Sequence, residues 1–120
     1  MTAFRYVSAR PNLEVTDLDR AIAFYGDALG LSLDFRADEF GLAVVGDEAG
    51  ASIALIRSAT PTPRSCYLNV EGVDALAERC VGSGTILLTH LTTHPWGMRD
   101  FAVHDPDGNI IAVGERVGPR

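Results

Sequence analysis

Few side chains of this 120-residue chain could do chemistry: three histidines (His90, His94, His104), two cysteines (Cys66, Cys80) and one tryptophan, Trp96. His90 and His94 stand four apart, a zinc-binding interval on a helix. The threonine-rich segment Thr89-His-Leu-Thr-Thr-His-Pro ends on proline and argues against a helix, so both read as exposed loop histidines. His104 falls out of phase with Phe101 and Val103 and reads as a solvated or turn-capping imidazole. The cysteines lack C-x-x-C spacing and sit among apolar residues, which reads as reduced buried thiols. Neither has a histidine beside it, and no G-x-S-x-G elbow is present, so no nucleophile–base set is visible. All ten basic residues are arginine, which excludes Schiff-base and phosphate-cradling lysines. A formal net charge of -6 argues against nucleic acid and anionic membranes. There is no long apolar leader or membrane-length apolar run, so the chain is read as soluble and cytoplasmic.

The elements that must position these residues come in a repeating order. Leu13 and Val15 alternate with polar neighbours as in a half-buried strand. Thr16 is expected to cap a helix whose apolar face carries Leu18, Ala21, Ile22, Tyr25 and Leu29, with Gly30 stopping it. Three strands are expected over Leu31–Arg36, Gly41–Val45 and Ala51–Arg57. Thr60-Pro-Thr-Pro63 is a stiff linker. After it, Leu68-Asn-Val-Glu-Gly-Val-Asp74 overlays Leu13-Glu-Val-Thr-Asp-Leu-Asp19 55 positions on, and Ile111-Ala-Val113 overlays Ile53-Ala-Leu55 58 positions on. A second helix is expected to bury Val73, Leu76, Ala77 and Cys80. The last fifth closes on a hairpin, since Asp105-Pro-Asp-Gly108 is a turn between the apolar runs Phe101-Ala-Val and Ile110-Ile-Ala-Val. The order reads as two βαβββ modules, about 10–58 and 65–116, joined by a linker at 59–64 within one α+β domain with a curved mixed sheet.

Two stretches carry a family resemblance. Val15-Thr-Asp-Leu-Asp-Arg-Ala-Ile-Ala-Phe-Tyr-Gly-Asp-Ala-Leu-Gly-Leu31 and Phe101-Ala-Val-His-Asp-Pro-Asp-Gly-Asn109 resemble signatures of the vicinal oxygen chelate superfamily, which holds glyoxalase I, extradiol dioxygenases and the fosfomycin and bleomycin resistance proteins. The tail Pro95-Trp-Gly-Met-Arg-Asp-Phe-Ala-Val-His-Asp-Pro-Asp-Gly-Asn109 is most similar to the bleomycin resistance proteins, as is Asp34-Phe-Arg-Ala-Asp-Glu-Phe40. One additional residue sits between Gly97 and Phe101 relative to some members. The resemblance implies a homodimer with ligand clefts at the subunit interface, and an N-terminal arm crossing to the partner at Pro11. Metal-dependent members hold their ion at four repeat-related positions, which here are Arg10, Ala54, Ser65 and Ala112. None of these is a usable ligand, and Arg10 would repel a cation.

With the ligands gone, the assets left are aromatic and polar. Ser65, Tyr67 and Asn69 share one strand face, and Ile110, Ala112 and Gly114 share another, with small residues leaving room for a flat group. Trp96, Tyr67, Phe35 and Phe40 resemble the aromatic lining of the drug cleft, with Arg10, Ser65, Asn69 and Ala112 completing the expected ligand-binding set. Asp34, Asp38 and Glu39 favour a cationic ligand and Arg10 an anionic one, so the ligand stays open. The expectation is a non-catalytic protein without cofactor that sequesters a planar drug or natural product, in the manner of antibiotic resistance. The alternative is an enzyme of the same fold, a lyase, isomerase or dioxygenase, with a displaced or absent metal.

Overall fold

The computed structural model describes residues 3–119 apart from Ala49. The first module runs β1 (Asn12–Val15), α1 (Leu18–Leu29), β2 (Ser32–Ala37), β3 (Leu42–Gly46) and β4 (Ser52–Arg57); the second runs β5 (Ser65–Asn69), α2 (Val73–Gly82), β6 (Leu87–Thr93), β7 (Met98–His104) and β8 (Ile110–Arg116). Each module folds as its own four-stranded mixed sheet, ordered β1-β4-β3-β2 and β5-β8-β7-β6. The expected α+β fold of two βαβββ modules is what forms, built as two sheets. The expected turn at Ala37–Glu39 is one turn of 3-10 helix over Asp38–Phe40.

The registers bear out the sequence repeat. Asn12 pairs with Ala54 in the parallel β1–β4 pair, and Tyr67 pairs with Ala112 in the parallel β5–β8 pair. These are the same two positions of each module, displaced by the 55 and 58 residues of the overlay. Pleating then sorts each strand. Leu13, Val15, Ala43, Val45, Ile53 and Leu55, with Phe101, Val103, Ile111 and Val113, face the helices in one core. Val44 and Ala54, and likewise Ala102 and Ala112, stand on the opposite faces, outside that core. Among the described residues, no helix is long and apolar enough to cross a membrane.

Helix α1 starts one residue later than its expected cap. Asp17 is the cap, its carboxylate accepting from the Arg20 N–H at 3.1 Å. Thr16 is claimed instead by the second module: its N–H and hydroxyl both donate to Asp107 Oδ1, at 3.1 and 2.8 Å. A tertiary partner outcompetes the local capping bond.

The Asp105–Asn109 turn does more than reverse the chain. Asp105 Oδ1 accepts from the N–H groups of Asp107 and Asn109, both at 2.9 Å, which tightens the turn. Its other oxygen accepts the Tyr25 hydroxyl at 2.7 Å, although Tyr25 belongs to α1 of the other module. Asn109, fully buried, donates through Nδ2 to Asp105 Oδ2 and to the Glu14 carbonyl, and accepts the Arg64 N–H. The two signature stretches therefore meet in one buried polar cluster, where every bond counts for more than at the surface.

Burial first, then the Asp105 carboxylate, pushes the Tyr25 phenol far above its ordinary value of 10.0. The unfolded chain releases this proton near pH 10 while the folded chain keeps it, so the folded state binds more protons and stability falls as pH rises. We expect Tyr25 to steepen alkaline denaturation by up to about 1.4 kcal/mol per pH unit above roughly pH 10. Urea titrations across that range should show the slope, and Tyr25→Phe should flatten it. An unchanged slope in the variant would assign it to another group.

Candidate functional site

Helices cover one face of each sheet, α1 against β2, β3 and β4, and α2 against β6, β7 and β8. The other faces hold the candidate residues. Across the second module, Tyr67, Ala112, Ala102 and Thr89 lie in one row of paired positions, and Asn69, Gly114, Asp100 and Thr92 in the next. Ser65 pairs with Ile110 at the far end of the same face. Alanine and glycine make the middle of this face shallow, so the Tyr67 ring can lie over β8. A methyl group at Gly114 would overlap its hydroxyl.

Tyr67 reaches across to Asp100 Oδ2, donating at 3.0 Å. The other oxygen of Asp100 meets His94 Nε2 at 2.7 Å, with both side chains largely covered. The His94 ring then stacks on Trp96, centroids 4.3 Å apart and planes 6° apart. Tyr67, Asp100, His94 and Trp96 form one continuous chain of contacts along the face. Burial, then the hydrogen bond to Asp100, raises the Tyr67 phenol above its ordinary value, which keeps it a neutral donor.

Local geometry sets Trp96 at the end of that chain. The β6–β7 connection is a turn in which the Gly97 N–H donates to the His94 carbonyl at 3.0 Å, Pro95 holding the first central position. Gly97 takes positive φ, and its carbonyl accepts the Val117 N–H at 2.8 Å, so the C-terminal strand end packs against this turn. Arg116 Nη1 donates to the Trp96 carbonyl at 3.4 Å.

His94 thus departs from the sequence reading. It is half-buried and paired with a carboxylate across the hairpin, while His90 lies exposed on β6, a strand and not a loop. The β-branched threonines of Thr89–Thr93 suit a strand, and two register shifts against β7 blur the alternation that would reveal it. Asp100 was missed entirely. Its one signal is parity with Ala102 in a strand whose register against β8 only the fold supplies.

The first module carries a separate group. Arg10 donates through Nε to Ser52 Oγ at 3.0 Å, just before the Pro11 carbonyl accepts the Ala54 N–H. Phe35 pairs with Val44, and Val44 with Ala54, which puts Phe35 on the bare face; its side chain is half-exposed. Phe40 stands well out at the end of the 3-10 turn. Among the described residues, no hydrogen bond, ion pair or ring contact links this group to the Trp96 chain.

The four positions that the resemblance gives to a metal are related by the repeat in the structure. Ala54 and Ala112 lie centrally on the two bare faces, with Arg10 and Ser65 at repeat-related places beside them. Two methyl groups, a hydroxyl and a guanidinium do not suit a divalent cation. Among the described residues no three of His, Cys, Asp and Glu gather in a metal-binding group elsewhere.

The model of the Glyoxalase/Bleomycin resistance protein/Dioxygenase superfamily matches residues 8–113. The chain belongs to this superfamily. Its relatives include a bleomycin resistance protein of Geobacillus stearothermophilus, 30% identical over 89% of this chain and 95% of the relative, and a Staphylococcus aureus protein of the same name and figures. Among solved structures, TioX from Micromonospora sp. ML1 superposes with a TM-score of 0.82 over 93% of this chain and 100% of its own, at 22% identity. A glyoxalase/bleomycin resistance protein from Catenulispora acidiphila gives 0.75 at 27% identity, over 92% and 98% of the two chains. The superfamily resemblance read from the two signature stretches is therefore established, and the TioX likeness supports the fold.

Proposed function

We propose that this chain is a non-catalytic member of the superfamily that sequesters a planar or aromatic small molecule in a cleft completed by a second copy. The observation that carries the reading is the open second-module face, where a chain of side-chain contacts runs from Tyr67, beside small residues, to an exposed tryptophan, and the residues at the family metal positions are not usable ligands. Aromatic walls of this kind contribute about 0.5–1.5 kcal/mol per ring pair beyond area burial. The relatives named as bleomycin resistance proteins favour the same class of role.

The need for a second copy rests on what one chain leaves bare. The radius of gyration is 15.0 Å, above the roughly 14 Å expected of a compact chain of this length. Residues 3–10 run as an exposed arm in which Phe4, Tyr6 and Val7 are each more than two-thirds accessible. An arm this apolar needs a seat, and exchange at Pro11 provides one on the partner.

Titrating the purified protein with bleomycin and with planar aromatic antibiotics, while following the fluorescence of its single tryptophan, tests this. Saturable quenching at one ligand per chain is expected, together with dimeric sedimentation that an arm-deleted variant loses. If none of the compounds quenched Trp96, the sequestration reading would fall.

A further inference from the structure

One face of the Trp96 indole is already occupied. The His94 ring lies parallel against it, yet Trp96 as a whole remains 58% exposed. A ligand ring can therefore stack only on the free face. Beneath His94 the carboxylate of Asp100 is fixed from both sides, by His94 Nε2 and by the Tyr67 hydroxyl.

This arrangement accommodates His94 with or without its second proton. Nε2–H donates to Asp100 in either state, so the stack keeps its geometry and only the charge behind the indole changes. Among the described residues, Tyr67 on β5 and Asp100 on β7 bond into this unit, and Arg99 on β7 and Arg116 on β8 flank it. Arg99 is turned to Asp74 and the Thr93 hydroxyl, and Arg116 to the Trp96 and Gly118 carbonyls.

An indole face attracts cations through its negative quadrupole. A positive imidazolium on the back draws on the same electron density and repels a second cation placed in front. We propose that His94 determines specificity in the cleft: carrying its proton, it makes the free face of Trp96 select electron-rich planar rings, neutral or anionic, over cationic ones. Loss of that proton relaxes the selection. The inference rests on the aromatic-ligand reading of the cleft, and it assigns Asp100 and Tyr67 as positioning residues that hold the imidazole in register.

The test uses two probes of similar two-ring area, 2-naphthol and the N-methylquinolinium cation, with affinity read from Trp96 quenching. The wild-type protein is expected to favour naphthol by roughly fivefold, from the scale of an exposed cation–π contact. His94→Phe keeps a stacked ring without the charge and should lose that margin. Asp100→Asn, which takes away the carboxylate that pairs with the imidazolium, should shrink the margin while both probes still quench. Quenching by both probes with a wild-type ratio in His94→Phe overturns this inference alone. Absence of quenching by either probe overturns both this inference and the ligand reading beneath it.

Discussion

Asn109→Ala is expected to cost about 3 kcal/mol of folding stability, or roughly 10 °C in melting temperature, with no change in the secondary structure of what still folds. The side chain is fully buried and makes three hydrogen bonds that end on three different parts of the chain. Its removal leaves the Arg64 N–H without an acceptor and strips one donor from a buried carboxylate, and each orphaned group costs about 1–3 kcal/mol. Asn109→Asp should be as harmful or worse, because it replaces that donor with a second negative charge beside Asp105. Urea denaturation followed by circular dichroism measures both. A loss below about 1 kcal/mol would mean that the cluster is not what joins the modules.

Gly114→Ala should separate binding from folding. The added methyl overlaps the Tyr67 hydroxyl and crowds Asp100 Cβ, so the flexible tyrosine must swing out and surrender its bond to Asp100. Tyr67 is 45% exposed, and the lost stability should be no more than about 1 kcal/mol. Affinity for an aromatic probe should fall by about tenfold or more, since the swung ring no longer flanks the ligand and Asp100 loses one of its two anchors. The ultraviolet titration of the phenols should show one tyrosine moving down toward 10.0, because Tyr67 leaves both its burial and its carboxylate. Unchanged affinity with a displaced Tyr67 would exclude the second-module face as the ligand site.

What the sequence made legible follows from how local each signal is. The Asp105-Pro-Asp-Gly turn, the amphipathic α1 and the repeat of strand, helix and three strands are written in neighbouring residues, and the fold agrees. The family resemblance gave Arg10 and Ala112, and the repeat related them to Ser65 and Ala54, because a fixed offset carries register from one module to the other. Thr16 misled because its rival partner, Asp107, lies 91 positions away and only the docking of the modules brings it near. His94 misled for a related reason: the strand over Leu87–Thr93 has an irregular register, so the approach of Asp100 across the hairpin leaves no periodic trace. Trp96 is legible through its resemblance to a cleft-lining aromatic, but that it rests on an imidazole is a fact of tertiary structure.

The buried cluster at the Asp105–Asn109 turn has a mechanical consequence. The repeat offers a matching joint at the other end of the module boundary, where the counterparts of Tyr25, Asp105 and Asn109 are Cys80, Asp47 and Ala51. A thiol that donates across the boundary to the Ala28 carbonyl of α1, and a methyl group, do not rebuild the same bonds. At that end Leu29, Leu31, Leu68, Val70 and Leu76 line an open groove instead. A force that separates the duplicated halves is thus borne by the buried carboxylate cluster at one end and, at the other, by the bonds of Arg79 and Cys80 to backbone carbonyls of α1.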